Sequence, residues 1–182
     1  NRQEFDKMKQ AGLEGSQLEG MIDQLFSGLN DQVYNAPVDL FNEKKLHEEF
    51  PELRPVQYAS LKDLLGTYIE GATNEIKDIA PKRVWVANVA LNLTHAYQFR
   101  DLYSLDYEME FRAPRQLRNR AGRFYEDYQE VEEAGRIPGE EYELIEDWAS
   151  SLGVGDYHAL LDEREHRDLE GSGGEHHEEP HE

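Results

Sequence analysis

The chain has 182 residues and a mass of 21.1 kDa, and it carries 39 Asp and Glu against 19 Lys and Arg, a formal net charge of -20. With 38% hydrophobic and 10% aromatic residues it is too apolar to be disordered throughout, and its length suits one domain with one real core. It has no cysteine, which excludes disulfides, thiolate zinc sites, iron–sulfur clusters and cysteine nucleophiles; no apolar run nears the roughly 18 residues that span a bilayer, and no charged-then-apolar signal segment opens it.

The acidity is uneven. Residues 125 to 182 hold 20 acids against three Arg, residues 1 to 50 hold 10 against five bases, and residues 51 to 124 hold nine against 11. A near-neutral body therefore leads into an acidic end, a distribution that suggests an interaction surface or a solvating tail.

In chain order, Ser16 and Glu19 form a capping box that opens a helix with Leu18, Met21, Ile22, Leu25, Phe26 and Leu29 on one face and a stop at Asn30-Asp31. Turn formers and Pro37 fill residues 32 to 38, after which Asp39 caps a short helix through Leu40, Phe41, Leu46 and Phe50 that Pro51 ends. From Ser60 to Ile79 the apolar stripe Leu61, Leu64, Leu65, Tyr68, Ile69, Ala72, Ile76 and Ile79 predicts a helix. Gly66 and Gly71 each weaken it by about 1 kcal/mol relative to Ala and suggest a close neighbour. Pro81 breaks it.

Residues 83 to 99 read as a helix with Asn88, Asn92 and His95 on one face, although Trp85, Ala87, Val89, Leu91 and Leu93 would also suit a strand. Between 103 and 112 the period becomes two, Tyr103, Leu105, Tyr107, Met109 and Phe111 alternating with polar residues, which predicts a minor β-strand; one continuous helix from Lys82 to Phe111 is the alternative. Pro114 opens a helix with Leu117, Ala121, Phe124, Tyr128 and Val131 inside, ending near Gly135. Pro138 opens another, with Tyr142, Ile145, Trp148, Ala149 and Leu152 inside and Gly153 as its stop. Asp156 caps a last short helix with Tyr157, Leu160 and Leu161, followed by a Gly-rich linker at 171–174 and a His/Glu-rich tail. No internal repeat appears. The expected fold is mainly α, a bundle-like body of about five to seven helices: one domain over 1–169, acidic from 125 onward, then linker and tail over 170–182.

Four groupings are candidates for chemistry. Arg112, Arg115, Arg118, Arg120 and Arg123 crowd the start of the Pro114 helix while Glu126, Asp127, Glu130, Glu132 and Glu133 crowd its end. That order opposes the helix dipole, so helix stability does not explain it. The arginines either dock a partner's anions or pair with the chain's own acids, including Glu108 and Glu110. His158, Asp162 and His166 recur at four-residue spacing, and with His176, His177 and His181 they make a candidate set for a divalent metal such as zinc, nickel or iron; a solvated charged face is the plain alternative. The third grouping is the Glu175–Glu182 tract itself, whose histidines change charge between pH 5 and 8. The Asn88, Asn92 and His95 stripe requires a hydrogen-bonded network if it is buried.

No phosphate loop, nucleophile elbow or His-Glu-x-x-His motif is present, which disfavours an enzyme. The expected function is a structural or assembly subunit of a larger complex, such as a viral particle or similar shell, working through Arg-rich and acidic surfaces with protein partners of basic surface. A metal-handling protein is one alternative, and an acidic binder of a basic nucleic-acid-binding protein is another. Direct nucleic-acid binding is disfavoured by the net charge. The acidity, with 12 Arg over seven Lys, also fits a salt-rich environment.

Overall fold

The computed structural model describes residues 16–135, 137 and 139–155. It is a helical bundle. Among the described residues six α-helices follow one another: α1 Ser16–Glu49, α2 Arg54–Gly71, α3 Asn74–Ile79, α4 Lys82–Tyr103, α5 Arg115–Glu133 and α6 Glu140–Leu152, with 3₁₀ turns at Pro51–Leu53 and Tyr107–Met109. No strand occurs among the described residues, and none of their helices is long and apolar enough to cross a membrane.

The first two expected helices are one. α1 runs through Asn30-Asp31 and through Pro37, which sits inside it. Leu29, Val33, Ala36, Leu40 and Phe41 are all buried and continue the helical spacing across the expected turn. A proline within a helix costs about 3 kcal/mol, whereas each large apolar side chain taken from water contributes about 1.5–3 kcal/mol, so the continuous face outweighs the break. The helix expected from Ser60 to Ile79 is divided instead. α2 begins earlier, with Pro55 in its first turn, and the chain turns at Ala72–Thr73 before α3. Of its two glycines, Gly66 faces open space, while a Cβ on Gly71 would lie 3.6 Å from Asn88 Oδ1.

The strand expected near 103–112 is absent, and its apolar residues show why. Tyr103, Tyr107 and Phe111, four apart, turn inward: Tyr103 and Tyr107 pack on Phe99 at 5.0 and 5.3 Å between ring centroids, and Phe111 is fully buried. Leu105 and Met109, the residues that suggested alternation, are 39% and 70% exposed. Ser104, in the left-handed region at φ 58°, ends α4, and a hydrogen-bonded connection leads to α5.

α4 is the centre of the molecule. Ala87, Ala90 and Leu91 face a core shared with α1, α5 and α6, in which Phe124 stacks on Trp148 at 4.7 Å. Trp85, Val89, Leu93, Ala96 and Phe99 face a second core with α2, Phe111 and the start of α5. A helix apolar on nearly every side must be enclosed, and this one is. Two of its buried polar side chains bond backbone carbonyls: Thr94 donates to Ala90 O at 3.0 Å, and Gln98 donates to Leu40 O.

Gln32 meets Asn88 and Asn92, and Leu40, two turns further along, meets Gln98, so α1 and α4 run in the same direction. α2 returns antiparallel to α4, with Tyr103 against Gln57 and His95 against Tyr68. In α6, Ile145, Trp148, Ala149 and Leu152 are buried as expected, but Leu144 takes the inner position expected for Tyr142, which is exposed. Gly153 closes α6 in the left-handed conformation.

Candidate functional site

The arginine grouping at the start of α5 divides into one internal member and four outward ones. Arg118 gathers the connection before its own helix: its Nε donates to Ala113 O at 3.3 Å, Nη1 to Glu108 O at 2.8 Å, and Nη2 to Phe111 O. A planar guanidinium can reach three carbonyls at once, which a lysine ammonium on a flexible stem does far less well. Tyr97 ties this corner to α4 by donating to Arg118 O at 3.3 Å. Arg112, Arg115 and Arg123 are exposed and Arg120 is half-buried, and none of these four makes an ion pair with a described residue.

Neither acid suggested as an internal partner pairs with them. The buried Glu108 carboxylate receives Arg100 Nη1 at 3.0 Å, and Glu110 makes no ion pair among the described residues. At the far end of α5, Glu132 pairs with Lys44 of α1 at 3.1 Å, while Glu126, Asp127, Glu130 and Glu133 are exposed. α5 therefore presents a basic outer surface at its start and an acidic one at its end.

The polar stripe of α4 is a closed ring of amides with a histidine one turn beyond. Gln32 Nε2 donates to Asn92 Oδ1 at 2.6 Å, Asn92 Nδ2 to Asn88 Oδ1 at 3.1 Å, and Asn88 Nδ2 to Gln32 Oε1 at 3.3 Å. Each amide donates once and accepts once, so the network joins α1 to α4 without an orphaned group. His95, half-buried, lies 5.9 Å from the Tyr68 ring, and burial pushes its imidazole down to about 4. Burial and the nearby Asp39 push the Tyr68 hydroxyl up to about 12, and burial and Glu43 raise the Asp39 carboxyl. The grouping is neutral in its middle and acidic on its α1 side.

A polar cleft of about 300 Å³ opens between α1, α4 and α5, lined among others by Lys44, His47, Asp101, Tyr125 and Glu132. Its groups are engaged with one another: Tyr125 donates to Asp101 at 2.8 Å, burial and then this bond raise the phenol, and Arg100 also pairs with Asp101 at 3.1 Å. Among the described residues no group of three His, Asp or Glu side chains is placed to hold a metal. The candidate metal ligands His158, Asp162, His166, His176, His177 and His181, and the helix expected after Asp156, lie outside the described residues.

Sequence reasoning found the arginines and the α4 stripe but missed what completes them. Gln32 fell in an expected loop, although an amide on an apolar helical face is the signal that pairs it with Asn88 and Asn92. Arg100, isolated in sequence from the arginine cluster, is the one that takes Glu108.

No known protein family, no curated protein and no solved structure matches the chain.

Proposed function

We propose that this protein is a non-enzymatic structural or assembly subunit that docks acidic surfaces of neighbouring subunits through Arg112, Arg115, Arg120 and Arg123. The observation that supports this reading is their lack of ion pairs with described residues in a chain with 39 acids and 19 bases. With so many carboxylates available, four clustered arginines left outward favour recognition of something beyond the chain. Guanidinium groups suit carboxylates in a two-pronged geometry and are enriched at interfaces. The acidic second half of α5 gives copies of the chain a complementary surface, so like subunits satisfy the same chemistry. Phosphate backbones are disfavoured, because the net charge repels a polyanion.

Sedimentation velocity of the full chain at about 0.05 M and about 0.5 M salt tests this, since screening over that range weakens exposed ion pairs. The expected result is a species larger than 21.1 kDa at low salt that shrinks at high salt and is lost in Arg115→Glu with Arg123→Glu. Should the chain be a monomer in both conditions, self-assembly is wrong; should it also ignore soluble poly-glutamate, arginine docking is wrong altogether. Stoichiometric zinc or nickel in the purified full chain, lost with His166→Ala, would favour the metal-handling reading instead.

A further inference from the structure

Among the ring pairs of the described residues, Tyr34 of α1 with Tyr142 of α6 is the one whose members are both exposed, at 38% and 43%; the others involve buried or half-buried rings. The two centroids are 6.3 Å apart and the planes are inclined at 47°, so neither ring covers the face of the other. Tyrosine is enriched at interfaces, where it brings a large contact area at a small loss of conformational freedom.

The chemistry around the pair is one-sided. α1 carries no Lys, Arg or His from 31 to 43, and there is none from 139 to 155, the stretch that holds α6. α6 starts beside Tyr34 and ends with Gly153 accepting from Arg83 at the start of α4, so it runs antiparallel to α1. Asp31, three residues before Tyr34, and Glu146, four after Tyr142, therefore share the helix faces of the rings and lie to the same side of them. Both are exposed, and neither makes an ion pair with a described residue. A hydrogen bond with Tyr142, burial and the nearby Glu141 raise the Tyr34 hydroxyl above its ordinary value, which keeps that ring neutral.

Electron-rich rings bordered by carboxylates suit a planar cation. A guanidinium lies flat on a tyrosine face while its N–H fork takes a carboxylate, which an ammonium does less well. Such cations are what α5 turns outward, and Arg112, Arg115, Arg120 and Arg123 are not taken by the described carboxylates of their own chain.

We infer that this α1–α6 surface seats the outward arginines of a second copy of the chain, a guanidinium lying on Tyr34 or Tyr142 and pairing with Asp31 or Glu146. The inference rests on the reading of those arginines as docking groups and names the surface they dock. Charge complementarity selects the occupant. The rings select this surface over the acidic end of α5, where Tyr125 and Tyr128 are buried. Because donor and acceptor are different surfaces of one chain, the contact is heterologous: each copy's arginines seat on the next copy's tyrosines, and the arrangement closes into a ring or runs on as a chain.

Sedimentation velocity of the full chain at about 0.05 M salt tests the pairing with two variants, each lacking one surface. The acceptor variant is Tyr34→Ser with Tyr142→Ser, and the donor variant is Arg115→Glu with Arg123→Glu; circular dichroism checks that each keeps its helix content. Each alone is expected to be a monomer of 21.1 kDa where the parent assembles. Their equimolar mixture is expected to form a dimer and nothing larger, since one partner offers only arginines and the other only tyrosines. Tyr34→Phe with Tyr142→Phe keeps the rings and should assemble like the parent. Asp31→Lys with Glu146→Lys leaves the rings in place and should weaken assembly about tenfold or more, as should Arg115→Lys with Arg123→Lys. An acceptor variant that assembles like the parent, beside a donor variant that does not, overturns this surface and leaves the arginine reading standing. A donor variant that assembles like the parent overturns both. Loss in both variants with no dimer on mixing overturns the pairing, and a parent that is monomeric brings down self-assembly and this inference together.

Discussion

Arg118 looks like any other member of a basic cluster in the sequence, yet it is the one that holds the fold. Three charged hydrogen bonds to the carbonyls of Glu108, Phe111 and Ala113 secure the connection that replaces the expected strand. Arg118→Met should therefore cost about 2–3 kcal/mol in urea unfolding, because carbonyls lose charged donors and part of the site is dry. Arg118→Lys should recover little of that, whereas Arg123→Ala at an exposed position should stay within about 0.5 kcal/mol. His95 gives a second outcome, with its sign set by burial. A free imidazole titrates near 6.5 and His95 near 4, so between those values the unfolded chain takes up a proton that the folded chain refuses. Stability present above pH 6.5 is thus lost as pH falls toward 4, by about 3 kcal/mol in full. Asp39, raised by burial and by Glu43, acts oppositely and holds its proton better when folded. His95→Gln should flatten the acid side of the stability–pH curve; coincident curves for variant and parent would refute the account.

Among the elements, α1 offers the sharpest test of how helix signals compete. Asn30-Asp31 and Pro37 both say stop, and the buried face through Val33, Ala36 and Leu40 overrides them. Pro37→Ala restores a backbone N–H donor and removes the clash of the ring, at the loss of some buried ring surface. The expected result is a rise in unfolding free energy of about 1–2 kcal/mol with unchanged helix content. A fall instead would mean that the proline is built into a bend. The same contest explains what the sequence shows and hides. α5 and most of α6 are legible because their apolar residues step by three and four and proline or glycine marks the ends. The 103–112 segment misleads because five apolar residues fit both period two and, taken as Tyr103, Tyr107 and Phe111, period four. Local spacing cannot choose between these; the aromatic surface of Phe99, brought by tertiary packing, does. The candidate site divides in the same way, since arginine clustering is visible along the chain but its split into one inward and four outward side chains depends on where the 104–114 connection folds back.

For the whole molecule, the division between neutral body and acidic end is chemical more than architectural. Half of the acids beyond residue 125 lie within residues 126–147, on the outer faces of α5 and α6, whose inner faces supply Tyr128, Ile145 and Trp148 to the core. The acidic end therefore begins as a coating on the bundle, and the outward arginines share a helix with part of it. The parallel course of α1 and α4 bears on something other than the finished fold. Leu40 finds Gln98 58 positions later and Tyr128 88 positions later, so the inner face of α1 begins to find its core partners only near mid-chain, with α4. At roughly 5–20 residues per second of synthesis, that face waits about 3–12 s for α4 alone, and longer for α5 and α6. While the chain is being made, the earliest apolar face among the described residues waits for the last described helix before it is fully covered.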